Sequence, residues 1–454
     1  MKVLVTGATG LLGKPLVDAL AKAGHSVVVL SRNPKRAASL WSIPVTAFGW
    51  RAEDNIPDHA IDGVDAIIHL AGEGIADKRW SAKRKKEILD SRVLGTRHLF
   101  EAIEKRKVSQ PRVVISASAI GYYGDCGETV LTESAAAGHG YLADVCRQWE
   151  DELFKHENLG IRLVAVRTGI VLASDGGALK KMLPPFKMGV GGPIGKGHQW
   201  MSWIHQDDLV GIILHSLTND QLKGPVNGVA PNPVTNADFS RALGRVLHRP
   251  AIMPAPAFAI KLVLGEMSEL VLESARVNAD KIKASGYSFR FPFVEVALAD
   301  VTKKQQSNLT QEQWVPAPVD DVFAFFALAE NLQKLTPKWL HFEVLSKSTP
   351  ELQKGTLIDY RLSLHGIPVR WQSRIESWNP GKQFVDTQTR GPYRLWHHTH
   401  EFKSLNGGTL VVDRVKYQVP GGVLGALLVG GIVRRDLGRI FAFRHRYIQQ
   451  HFRS

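Results

Sequence analysis

The stretch from Lys2 to Gly13, KVLVTGATGLLG, constrains this chain more than any other. Val3–Val5 is a short apolar run of the kind that forms a buried parallel strand. Gly7, Gly10 and Gly13 follow at the spacing G-x-x-G-x-x-G. The first permits a tight turn off the strand. The second lets a phosphate approach bare backbone, and the third lets the next helix pack close to the sheet. Leu16, Val17, Leu20 and Ala23 supply the helical pattern. The amide-rich end of that helix carries partial positive charge toward a phosphate. A glycine triplet alone is a weak signal. Set between a strand and a helix, it predicts a nucleotide cradle made of Gly7, Thr9, Gly10, Leu11, Leu12 and Gly13. The competing reading is a glycine-rich turn that holds nothing.

His25–Leu30, HSVVVL, is a second β-branched run. Dinucleotide folds place an acidic residue at the end of this strand, about 20 residues past the glycines, to hold a ribose 2′-hydroxyl. Here Ser31 takes that place and Arg32 follows. A carboxylate repels a 2′-phosphate, whereas a hydroxyl and a planar guanidinium bind one. NADP is therefore expected ahead of NAD. The competing reading makes Arg32 a solvated surface charge.

At 454 residues the chain exceeds one ordinary core, so two or three domains are expected. Its 44% hydrophobic and 22% charged content suits a soluble globular protein. Two cysteines, Cys126 and Cys146, make no disulfide framework and suit a reducing compartment. The chain begins directly on a strand, so no secretory signal is expected. The longest apolar run, Val423–Val433, is too short and glycine-rich to span a bilayer. A cytoplasmic protein is expected. The net charge of +14 admits nucleic acid or an anionic membrane surface as partners. The charges are scattered and no nucleic-acid motif is present, so nucleic acid is not expected. Anionic ligands, or peripheral contact with lipid headgroups, fit at least as well.

Strand-like runs at Ala66–Leu70, Arg112–Ser116 and Leu163–Arg167 alternate with helical patterns at Lys83–Lys105 and Ala143–Phe154. Such alternation predicts a parallel sheet covered on both faces. Residues 174–200 are rich in glycine, proline and lysine and read as a mobile segment over the site. Residues 225–300 read as a smaller, partly helical lobe. The polar run 301–308 reads as a linker. Beyond it, Thr356–Leu364, Val369–Trp378, His397–Phe402 and Thr409–Val419 alternate with period two, as antiparallel strands do. Val322–Phe326 suggests a short helix, and Asp436–Phe452 a long one.

The segments HLAGEGIADKRW (69–80), DSRVLGTR (90–97), SASAIGYYG (116–124), GGALKKMLPPF (176–186), WMSWIHQDDL (200–209) and NGVAPNPVTN (227–236) run in one order. Through them, residues 1–300 resemble the extended short-chain dehydrogenase/reductase superfamily on its NAD-dependent epimerase/dehydratase side. The likeness is to an atypical epimerase-like branch, whose members are often labelled sugar-nucleotide epimerases or cell-division-inhibitor-like proteins. Residues 309–454, through LTPKWLHF (335–342) and GPYRLWHHTHEF (391–402), resemble the START-like helix-grip superfamily of polyketide cyclases and lipid carriers. The implied fold is an α/β Rossmann domain, a doubly wound parallel sheet with a small substrate lobe, followed by an α+β helix-grip domain. The second domain is expected to hold an apolar ligand between a curved sheet and a long helix.

In the first superfamily a Ser–Tyr–Lys set accompanies hydride transfer. Ser118 matches the serine and Tyr141 begins the Y-x-x-x-K position, but Val145 stands where the lysine belongs. A phenol titrates near 10 unaided and needs a nearby cation to act as a base at neutral pH. Three readings stay open: Tyr122, Tyr123 or a distant lysine substitutes; Tyr141 serves as a neutral acid in a reduction; or the domain binds NADP without turnover.

The resemblance also implies that the backbone after His69, at Leu70, Ala71 and Gly72, lines the cofactor. Glu73, Arg79, Trp80 and Lys83 line a pocket for an anionic substrate, or are a solvated helix face. Arg167 is expected on the substrate side, with simple packing as its competitor. His205, Asp207 and Asp208 have a spacing that suggests a metal, but the family uses this stretch structurally, the acid capping a helix. No Cys/His cluster has zinc spacing, and no metal is expected.

In the last domain Tyr360, Trp371, Trp378, Phe384, Trp396 and Tyr417 are cavity or core. His398 and His400 share one strand face and His397 the other, which hints at a metal or proton shuttle against plain exposed positions. The expected function is an NADP-binding, epimerase/dehydratase-like oxidoreductase acting on a small substrate, a sugar nucleotide or an apolar carbonyl compound. The alternative is a non-catalytic NADP-responsive module whose second domain carries a hydrophobic ligand.

Overall fold

The β-branched runs of the first half pair side by side, as their near-continuous apolar character requires. The computed structural model describes residues 1–106, 110–174, 176–302, 308–419 and 422–452. Backbone contacts divide the chain into two units, Met1–Lys303 and Lys304–Ser454.

In the first unit seven strands form one parallel sheet. They are β1 (Lys2–Thr6), β2 (Ser26–Ser31), β3 (Thr46–Gly49), β4 (Ala66–His69), β5 (Val113–Ala119), β6 (Arg162–Thr168) and β7 (Gly224–Gly228). Their order is β7-β6-β5-β4-β1-β2-β3. The winding reverses between β1 and β4. In open sheets of this kind the crevice at such a reversal, beyond the strand C-termini, is where ligands bind. Four helices shape that crevice: α1 (Gly13–Lys22), α2 (Ala82–Glu104), α3 (Tyr141–Phe154) and α4 (Gln206–Thr218). Leu4, Ile67 and Val114 lie in register on neighbouring strands and pack with Leu99, Phe100 and Ile103 of α2. Each is buried, which stabilises the fold by roughly 1.5–3 kcal/mol per large side chain.

Three expectations change here. Residues 174–200 are not all loop: Gly177–Lys187 is a helix, with Pro184 and Pro185 inside it and Leu179, Leu183 and Phe186 buried. Its apolar spacing outweighs the prolines. The lobe does not begin at 225, because Gly224–Gly228 is an edge strand of the main sheet. Of the linker 301–308, Val301 and Thr302 end a helix and Asn308 opens a strand. Residues 303–307 lie outside the described residues.

The second unit is a seven-stranded antiparallel sheet. Its strands are β8 (Asn308–Val315), β9 (Glu343–Lys347), β10 (Leu357–Leu364), β11 (Ile367–Asn379), β12 (Gln383–Arg390), β13 (Leu395–Leu405) and β14 (Gly408–Gln418), in the order β8-β14-β13-β12-β11-β10-β9. Register shifts in β11, between Gln372 and Ser373 and between Ile375 and Ser377, bend the sheet. A helix, α5 (Gly422–His451), follows β14. Ile440 and Ile448 of α5 pack with Phe326, Phe384 and Phe402 on the inner side of the sheet. The expected helix at 436–452 thus starts earlier, and the apolar run Val423–Val433 is part of it. No described helix is long and apolar enough to cross a membrane.

Candidate functional sites

The glycine turn is held tightly at the switch point. Gly7 has φ +66, and a Cβ there would lie 2.6 Å from the carbonyl of Leu70. Only glycine tolerates both conditions. A Cβ on Gly13 would collide with the carbonyl of Gly7, so β1 and α1 approach as closely as the spacing predicts. No side chain caps the start of α1 at Leu12. Its first N–H groups therefore suit an anion. Thr6 Oγ1 accepts from the N–H groups of Leu70 and Ala71, both at 3.1 Å, and lies 2.8 Å from His69 Nδ1. The buried Nε2 of His69 has no hydrogen-bond partner among the described residues. Burial pushes His69 down to about 4. Gln206 of α4 donates to the carbonyl of Leu11 at 2.6 Å, fixing the far side of the loop.

Beyond β2, Ser31 Oγ accepts from the N–H of Asn33 at 3.2 Å. Arg32 is 71% exposed and pairs with Glu73 at 3.0 Å. Glu73 also pairs with Arg84 at 3.2 Å. Glu73 thus joins cations on two segments. Arg79 donates to the carbonyls of Leu262 and Val263. Arg92 donates to the carbonyl of Glu73 at 3.1 Å and comes close to Gly72.

The expected catalytic pair takes separate partners. Ser118 donates to Glu150 at 2.6 Å in a buried setting. Tyr141 sits on the first turn of α3 and donates to the carbonyl of Lys85 at 2.9 Å. The ammonium of Lys85 lies 4.9 Å above its ring and Trp80 packs edge-on. Burial raises the Tyr141 phenol, and Arg92 and Arg84 offset this only in part. Tyr122 lies face-on beneath the Arg167 guanidinium at 3.5 Å.

Arg167 is 3% exposed and forms a two-pronged pair with Glu150 at 2.9 and 2.8 Å. It also donates to Tyr123 Oη at 3.0 Å and the carbonyl of Glu133 at 3.1 Å. Tyr123 in turn donates to Asn227 at 2.6 Å. Burial alone would lower Arg167, but Glu150 more than reverses it and the net shift is upward. Burial pushes Tyr123 up to about 12. The guanidinium of Arg167 thus ties β6 to α3. In the 205–208 stretch the roles differ from expectation. His205 caps α4, accepting from the N–H of Asp207, while buried Asp208 accepts from the N–H groups of Arg290 and Phe291.

The second unit holds a cavity of about 180 Å³. Tyr360, Trp371, Phe384 and Trp396 line it; Trp378 and Tyr417 belong to the surrounding packing. Its wall includes Asp386, His398, His400 and Arg444. His398 and His400 are 6% and 4% exposed, so exposed strand positions do not explain them. Burial lowers His398, whereas Asp413 and Asp386 outweigh burial and raise His400.

A model of the NAD dependent epimerase/dehydratase family matches residues 3–227. The chain is 42% identical over 299 residues to the Arabidopsis thaliana chloroplastic homolog of epimerase family protein SDR39U1, covering 66% of this chain and 86% of that one. This chain belongs to the epimerase family. It is also 38% identical to the Bacillus subtilis epimerase family protein YfhF, covering 66% of this chain and 98% of that one. The crystal structure of human epimerase family protein SDR39U1 with NADPH superposes with a TM-score of 0.59 at 33% identity, over 67% of this chain and all of that one. A domain of unknown function, DUF1731, matches residues 255–301, and polyketide cyclase / dehydrase and lipid transport matches 315–443. This epimerase-family protein thus carries a helix-grip domain after the portion shared with those relatives.

Several residues of these sites escape a reading of the sequence. Thr6 and Gln206 brace the nucleotide loop, and Glu150 joins Ser118 to Arg167. Each acts on a residue far away in the chain. Asp386 and Asp413 did leave a signal, since Asp413 interrupts the apolar run TLVVDRV. A carboxylate in a buried strand requires a partner.

Proposed function

We propose that this protein binds NADP(H) at the switch point between β1 and β4 and works as an epimerase-family oxidoreductase on a small substrate. The observation that carries the reading is the Gly7–Gly13 turn together with Arg32, in place of a carboxylate, just past β2. The fit is favourable: a glycine turn packed against the Leu70 backbone, an uncapped helix start, and a hydroxyl and guanidinium at the end of the second strand. The NADPH in the crystal structure of the human relative supports the same choice. When bound, such a dinucleotide supplies hydride transfer. Leu70 and Ala71, held by Thr6, and Gly72 would border it.

Tyr141 is the candidate proton donor. Its phenol keeps its proton at neutral pH, which suits an acid in carbonyl reduction and not a base. A second reading, binding without turnover, draws support from Ser118 and Tyr141 being tied to Glu150 and to the Lys85 carbonyl. In the second unit, the apolar cavity favours a small hydrophobic ligand.

Calorimetry should show NADPH binding that falls about 10–100-fold in Arg32→Ala with NADH little changed, the loss of one charge-assisted contact. No heat with NADPH in the unaltered protein refutes the reading. NADPH absorbance, followed against carbonyl compounds and sugar nucleotides, should show turnover that Tyr141→Phe removes. Binding without turnover selects the second reading.

A further inference from the structure

The polar end of the helix-grip cavity carries an inference about metal, independent of the nucleotide site. His398 and His400 lie two residues apart on β13. The register sets Asp386 of β12 opposite His398 and Asp413 of β14 opposite His400. Asp413 Oδ1 lies 3.1 Å from His398 Nε2 and 2.6 Å from His400 Nδ1. Asp386 Oδ1 lies 3.5 Å from His398 Nδ1 and 3.3 Å from His400 Nε2. Four imidazole nitrogens therefore face two carboxylate oxygens. With both rings neutral only two N–H protons are present, and two of the four contacts then set a lone pair against a carboxylate.

A metal-binding imidazole directs its other N–H at an outer carboxylate, which fixes the tautomer and the ring orientation. Asp413 is placed to do this for both rings, although His400 Nδ1 is out of line for a good hydrogen bond. His398 Nδ1, His400 Nε2 and Asp386 are then three bases turned toward one another. One ligand atom from each of Asp386, His398 and His400 lies within 4.8 Å of the others. Ligand atoms around a tetrahedral zinc, at bonds of roughly 2.0–2.1 Å, are about 3.3 Å apart. Arg444 lies 3.9 Å from Asp413 and balances that outer carboxylate.

We propose that Asp386, His398 and His400 bind a divalent transition-metal ion, zinc or ferrous iron, with Asp413 positioning both rings. Two imidazoles and one carboxylate are a donor set that suits either ion and leaves coordination positions open. All three residues line the apolar cavity.

The test uses the full-length protein stripped with a chelator. Titration with Zn²⁺, and anaerobically with Fe²⁺, should show one ion per chain by calorimetry. Co²⁺ should give visible ligand-field bands. Asp386→Asn, which keeps the side-chain shape, and His400→Ala should each abolish the bands. Asp413→Asn should weaken binding about 10–100-fold. His397→Ala, on the opposite strand face, should change nothing. Circular dichroism identifies any variant that fails to fold, and the cobalt spectrum of the unaltered protein needs no variant. The metal content of the protein as purified separates zinc from iron. Absence of cobalt bands in the unaltered protein, or binding that survives Asp386→Asn combined with His400→Ala, overturns the assignment.

Discussion

Each unit buries a charged cluster of side chains, and the two compared are built differently. In the first, Glu150 takes Arg167 through both oxygens, Ser118 adds a third bond, and Tyr123 passes the chain on to Asn227. In the second, two imidazoles stand between Asp386 and Asp413 beside a cavity, and Arg444 reaches Asp413 only at 3.9 Å. His400 Nδ1 and Arg444 Nε there lack hydrogen bonds, while no atom of the Ser118–Glu150–Arg167 group does among the described residues. A saturated network fixes the positions of the elements that contribute to it. An unsaturated one, held rigid by its sheet, keeps donor atoms available. This difference separates the Arg167 group, which is architecture, from the His398–His400 group, which is a candidate site.

The comparison can be broken most directly at Glu150. Glu150→Ala leaves Arg167 buried and unpaired, and a loss of about 3–5 kcal/mol is expected in urea unfolding of the full chain. The double change Glu150→Leu with Arg167→Met should recover part of that loss, because it removes both charges together. Equal stability in Glu150→Ala would show that the network is not closed.

Acid sharpens the contrast next. The closed network has no imidazole, whereas burial lowers His69 and His205 elsewhere in the first unit, His69 to about 4. Below 6.5 the unfolded chain takes up a proton that the folded ring refuses until about pH 4. Stability is therefore lost as pH falls through this window, by about 3 kcal/mol in full. His69→Gln should flatten the pH profile of the melting temperature between those limits.

The smallest effect belongs to the open cluster. Asp413→Asn keeps the shape beside a cavity that water can enter, and a loss of about 1–3 kcal/mol is expected. A penalty as large as that of Glu150→Ala would erase the distinction between the two.

Much of the fold was legible in the residues. The period-two alternation after 356 and the β-branched runs before 170 each depend on neighbours in sequence, and both sheets formed where those patterns stand. The nucleotide loop was legible for the same reason, since strand, glycines and helix are contiguous. Val145 in place of lysine was equally plain. What tied Ser118, Arg167 and Glu73 to internal partners was not, because each partner arrives from another element through packing. Strand alternation put His398 and His400 on one face. Whether that face was wet depended on α5 and on the register of β12 and β14, which no local pattern encodes.

The ion pair between Arg32 and Glu73 has a further consequence. A guanidinium already engaged by a neighbouring carboxylate must exchange one anion for another when a phosphate arrives. Glu73 thus competes from within for the group that would choose between phosphorylated and unphosphorylated nucleotides, and it weakens any preference for the phosphorylated one.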